Sequence, residues 1–145
     1  MSAEVEVESS IGYLLKATTA LLRVRLEQAL APWSLSVTEY STLEHLRQRP
    51  GLSSAELARA VFVTRQGMAS VFGALEARGL VARDPTASAG RALPSRLTAD
   101  GERVCALASA AAADVEQRML RALPATERTA LHHALELCSA ALAEN

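Results

Sequence analysis

The sequence predicts a mainly α-helical fold carrying one small two-stranded β hairpin, and three observations predict it. Aromatic residues make up 3% of a 145-residue chain that is 50% apolar, so the core must be built from Leu, Val and Ala packed on helices. Apolar residues recur at helical spacing through most of the length. The pattern shifts to strand-like alternation only after Gly79.

The first helix is marked by Ile11, Leu14, Leu15, Thr18, Leu21, Leu22, Leu26 and Leu30, and Pro32 marks its end. Ser36-Val37-Thr38-Glu39 has the form of a capping box and opens a second helix through Leu43 and Leu46, stopped by Pro50-Gly51. A second box, Ser53-Ser54-Ala55-Glu56, starts a short helix with Leu57, Ala58 and Val61 on its apolar face. Phe62-Val63-Thr64 is all that separates it from a helix carrying Met68, Val71, Phe72 and Leu75 and ending at Gly79. Two short helices joined so tightly read as helix-turn-helix.

Leu80-Val81-Ala82-Arg83 then alternates like a strand, Asp84 to Gly90 is rich in turn formers, and Leu93 to Leu97 returns as a second strand. Pro94 removes one ladder donor there. Thr98 caps a long helix through Val104, Leu107, Ala111, Val115 and Leu120, which Pro124 breaks. A last helix carries Leu131, Leu135, Cys138 and Leu142.

Charge and composition exclude several classes. The acidic first ten residues lack the basic start and apolar run of a secretory signal, and charges interrupt every apolar helix, so a soluble cytoplasmic protein is expected. Cys105 and Cys138 fit reduced thiols on helices. No phosphate loop, nucleophile elbow or metal quartet is present, which leaves a catalytic reading without residues, and no cofactor is expected. His132 and Glu136, at i, i+4, read as a surface pair and not a metal site. The net charge of −1 makes no global case for a nucleic-acid partner, but the stretch from Arg59 to Arg96 holds six arginines against two acidic residues.

The order of elements resembles the MarR family of winged helix-turn-helix regulators over essentially the whole chain. The residues that carry the resemblance are Thr38-Glu39-Tyr40 with Leu43 and Leu46, Leu57-Ala58, Val63-Thr64-Arg65-Gln66, Leu75-Glu76-Ala77-Arg78-Gly79-Leu80-Val81 and Leu97-Thr98-Ala99-Asp100-Gly101. The resemblance implies a single unit over 1–145, with dimerisation helices at 11–31 and 99–143 and a winged helix-turn-helix DNA-binding region at 36–98. It implies a homodimeric repressor of transcription on double-stranded DNA, reading a pseudopalindromic operator and released by a small aromatic or phenolic effector. Terminal helices too long and apolar for a small winged domain to cover ask for the same partner surface.

On that frame, the recognition helix spans about 64–79 and the wing about 80–97. Arg65 and Gln66 stand in the first turn of the helix, where Arg pairs with guanine and Gln with adenine, and Ser70 follows one turn on. Ser53 and Thr64 cap helices whose first amides face phosphodiester. Arg91 is the minor-groove candidate, although Ala89-Gly90-Arg91 lacks the carboxylate that the family often places two residues before it. Arg83 and Arg96, on the wing strands, read as partners of phosphate or carboxylate. Tyr13, Trp33, Tyr40 and His45 are the candidates for an effector cleft. Gly67, Ala69, Gly73 and Ala74 leave the reading face sparse, which keeps a rival in play: a winged-helix protein-interaction module without sequence-specific DNA binding.

Overall fold

The computed structural model describes residues 3–83 and 95–144. Among them the chain forms α1 (Ile11–Leu30), α2 (Val37–Gln48), α3 (Ser54–Ala60), α4 (Arg65–Ala77), β1 (Val81–Arg83), β2 (Ser95–Leu97), α5 (Ala99–Leu120) and α6 (Ala125–Ala143). The helix starts follow from side chains that accept from first-turn amides. Ser36 Oγ accepts from Glu39 N at 3.0 Å and Ser53 Oγ from Glu56 N at 3.2 Å. In both boxes the glutamate returns the bond to the cap amide, at 3.2 Å and 2.9 Å. Thr64 and Thr98 cap α4 and α5 through the amides of Gly67 and Gly101, each at 3.0 Å.

Three helices end in the same way. After α4, Gly79 takes φ +70, its amide donates to Glu76 O at 2.9 Å, and Leu80 N donates to Leu75 O at 3.0 Å. The same closure follows the 3-10 turn Ala31–Trp33 at the end of α1, with Ser34 at φ 51, and follows α3, with Phe62 at φ 60. A phenylalanine at a left-handed position carries a Cβ clash that glycine avoids. Phe62 is also 94% exposed, so no packing offsets that strain.

β1 and β2 pair antiparallel with Val81 opposite Leu97, Ala82 opposite Arg96 and Arg83 opposite Ser95. The expected alternation holds in β2, where Ser95 and Leu97 are buried and Arg96 is exposed. It fails at the start of β1, because Leu80 and Val81 are both buried. Leu80 is still part of the α4 closure and turns inward before the pleat begins. On its other edge β2 is tied to the α2–α3 linker, with Gly51 N donating to Ser95 O and Ser95 N to Leu52 O.

One apolar core joins these pieces. Leu43 and Leu46 of α2, Leu57 of α3 and Met68, Phe72 and Leu75 of α4 meet Leu30 at the end of α1 and Val104, Cys105 and Ala108 at the start of α5. Gly101 lets α5 pass against the backbone at Leu80: a Cβ there would be driven into the Leu80 carbonyl. The remainder of α1 and α5 extends away from this core, and α6 buries no residue. None of the described helices is long and apolar enough to cross a membrane.

Candidate nucleic-acid interface

α4 divides into two faces. Met68, Phe72 and Leu75 are fully buried, which fixes the helix on its core, while Arg65, Gln66, Ala69, Ser70, Gly73 and Ala74 are exposed. The three polar candidates therefore share one open face beginning at the amino end of the helix. Thr64 orients that end, and no acidic residue stands in its first turn. Ser53 is half-buried, and its amide and hydroxyl are both engaged by Glu56, so it sets the start of α3.

Arg83 and Arg96 are both exposed but stand on opposite faces of the hairpin, Arg96 opposite Ala82 on the outer face and Arg83 opposite Ser95 on the face that carries Val81 and Leu97. Arg83 lies back over α4: its guanidinium carbon is 4.9 Å from the centre of the Phe72 ring and its Nε 4.0 Å from Glu76 Oε2. Arg91 lies outside the described residues. Beside α3, Arg49 and Arg59 line a hollow of about 360 Å³ with Leu52 and Glu56. Arg49 was not singled out from sequence, because the hollow joins the end of α2 to α3.

A second concavity lies where α1, α2 and α5 meet. It has a volume of about 340 Å³ and is lined by Leu22 and Leu26, by Tyr40, Glu44 and Gln48, and by Ser109, Ala112, Ala113, Glu116 and Met119. Of the four cleft candidates only Tyr40 is part of this lining. His45 turns its Nδ1 to Ser41 O at 2.7 Å. Trp33 packs at the corner between α1 and α2, and Tyr13 stands 48% exposed in the first turn of α1. Glu44, Gln48 and Ser109 escaped the sequence reading because only tertiary packing brings α2 and α5 together.

Glu44 organises the wall of this cleft. Its Oε1 accepts from Arg47 at 2.6 Å and from Gln48 at 2.8 Å, and its Oε2 accepts from the Cys105 thiol at 3.4 Å. Burial pushes the Glu44 carboxyl up, but the hydrogen bonds from Gln48, Arg47 and Cys105 outweigh it and hold the group below its ordinary value. Burial, reinforced by the Glu44 charge, pushes the Cys105 thiol up to about 12. A buried thiol held protonated is a poor nucleophile, and Cys105 serves here as packing and as a hydrogen-bond donor to Glu44. Burial also raises the Tyr40 hydroxyl, partly offset by the Ser109 hydroxyl beside it. His132 Nδ1 lies 3.5 Å from Glu136 Oε2 on the exposed face of α6. Among the described residues no cluster of metal-ligating side chains is present.

Comparison with known proteins agrees with this arrangement. The MarR family model matches residues 33–92. The HTH-type transcriptional repressor Rv2887 of Mycobacterium tuberculosis is 41% identical over 129 residues, covering 89% of this chain and 93% of that protein. Its solved complex with salicylic acid matches 90% of this chain and 96% of that one with a TM-score of 0.73, and its complex with DNA matches with a TM-score of 0.74 at 38% identity. The transcriptional repressor CouR bound to a 23-mer DNA duplex is 28% identical, covers 94% of this chain and 99% of that one, and has a TM-score of 0.84. With a helix-turn-helix, a paired wing and this depth of similarity, the chain belongs to the MarR family of DNA-binding transcriptional regulators.

Proposed function

We propose that the chain acts in the cytoplasm as a homodimeric repressor that occludes a pseudopalindromic operator, with 36–98 as the reading unit and 11–31 and 99–143 as the dimerisation helices. The observation that carries the reading is the split of α4: one face locked into the core, the other open and bearing Arg65, Gln66 and Ser70 beside a two-stranded wing. Arg65 and Gln66 are the base readers, Ser70 a base or phosphate contact, and Thr64 directs the first amides of α4 at a phosphate. Arg83, Arg91 and Arg96 supply sequence-independent contacts, and Ser53 positions α3 against the backbone. The uncovered apolar faces of α1 and α6 supply the dimer surface.

The effector site is the cleft between α1, α2 and α5, lined by Tyr40, Glu44 and Ser109. A small aromatic molecule fits its volume and mixed lining, and salicylic acid, which the Rv2887 complex holds, is the first probe to use. Occupancy would favour a dimer whose α4 helices no longer match the operator spacing.

Selection of the purified dimer on a random duplex library, followed by a salt series, tests the DNA reading. Affinity should fall steeply with salt, as phosphate neutralisation demands. Arg65→Ala should narrow the gap between the selected duplex and random DNA. Equal losses on both would remove Arg65 from the readers. A dimer with no salt-sensitive affinity for any duplex would instead favour the protein-interaction module, which the small residues Gly67, Ala69, Gly73 and Ala74 on the open face bring into consideration.

A further inference from the structure

Arg78 is the residue on which α4 ends, and its side chain does not turn toward the open face. Its Nη2 donates to Trp33 O at 2.6 Å and its Nη1 to Ser34 O at 3.1 Å, across more than forty residues of sequence. Its Nη1 also lies 3.7 Å from Glu39 Oε2 in the first turn of α2. The two carbonyls belong to the closure that ends α1, where helical carbonyls have no following amide to accept from and carry partial negative charge. A planar, forked cation suits such a pair of acceptors, and lysine with its single ammonium does not reproduce the fork. The far end of α4 is therefore pinned at the corner where the long helix α1 turns into α2.

We propose that Arg78 is a positioning residue for DNA recognition: it fixes the angle between α4 and α1, and through α1 the distance between the two α4 helices of a dimer. The role rests on the dimeric DNA-binding reading above. It differs from that of a reader, because Arg78 contributes nothing to which base is preferred within a half-site. It also gives the cleft a route outward. Leu22 and Leu26 of α1 line the cleft two to three turns before the corner, so displacement of α1 by an occupant moves the carbonyls that hold Arg78.

The test uses the full-length dimer and duplexes carrying two copies of the selected half-site separated by spacers of graded length. Wild type should prefer one spacer. Arg78→Met should keep the half-site preference, spread binding over neighbouring spacers and lose about tenfold at the best one, with Arg78→Lys in between. Trp33 is the only tryptophan in the chain, so its emission reports the corner directly and should shift in Arg78→Met. A single sharp spacer optimum for Arg78→Met, equal to wild type, would overturn the role. So would a uniform loss across all spacers accompanied by a lowered melting temperature, which is what a merely structural residue gives. Failure of wild type to select any duplex would fail the DNA-binding reading itself, and the role of Arg78 with it.

Discussion

α4 and α6 are both amphipathic helices in one chain, yet they meet opposite fates. α4 places Met68, Phe72 and Leu75 at zero exposure within its own subunit, whereas α6, at nineteen residues the longer of the two, buries none. Leu131, Leu135, Leu137 and Leu142 all remain exposed. On the dimeric reading proposed above, the difference separates a unit that buries its apolar face within one subunit from an arm that buries its own against a second. Residues of the first kind should govern stability of the subunit, and residues of the second kind should govern association.

The largest expected effect breaks the arm. If α6 forms the proposed dimer surface, Leu131→Glu with Leu135→Glu would bury two carboxylates from each subunit, and sedimentation should show dimerisation weakened by at least about 100-fold while helical content is kept. Phe72→Ala attacks the other side of the comparison and should cost about 3–5 kcal/mol in denaturant unfolding without altering subunit stoichiometry in native conditions. Equal sensitivity of both properties to both variants would dissolve the distinction.

Smaller effects sharpen it. Gly101→Ala replaces glycine with a better helix former, but its Cβ meets the Leu80 carbonyl, so a loss of about 1–3 kcal/mol is expected where helix propensity alone forecasts a gain. Phe62→Gly should act in the reverse direction and stabilise by about 1 kcal/mol, because it relieves a left-handed backbone strain that no contact offsets. The last effect is in pH. The Cys105 thiol holds its proton to about 12 in the fold against 9.0 as a free thiol. Its contribution is complete below pH 9 and declines as pH rises from 9 toward 12, where the unfolded chain has lost the proton and the folded one has not. Unfolding curves of Cys105→Ala should accordingly show less alkaline loss than wild type across that window.

The parts legible in the sequence are those decided within a few residues. Ser36, Ser53, Thr64 and Thr98 cap helices because their partners stand three residues on, and Gly79 closes α4 because the bonds it makes return to the same helix. The helical spacing of Met68, Val71, Phe72 and Leu75 specifies a core face by itself, and of these only Val71 is half-buried and not fully buried. What escaped was assembled across distance. Only the packing of α2 on α5 brings Glu44 to Cys105 and Ser109 to the cleft. Arg78 read as one more charge in a cationic stretch, since the carbonyls it holds belong to another part of the chain. Phe62 is a different case: a bulky residue in a three-residue turn between helices was itself a signal, because such turns require one left-handed position.

Glu39 carries a consequence of its own. One of its oxygens closes the capping box of α2 through Ser36 N, and the other faces the Arg78 guanidinium. Substitutions at Ser36 and Arg78, which never touch, should therefore combine non-additively through the carboxylate they share. For a diverging lineage that is a rule of order: a change that frees Glu39 from one duty alters what the next change at the other will do, so helix start and corner evolve as a single trait.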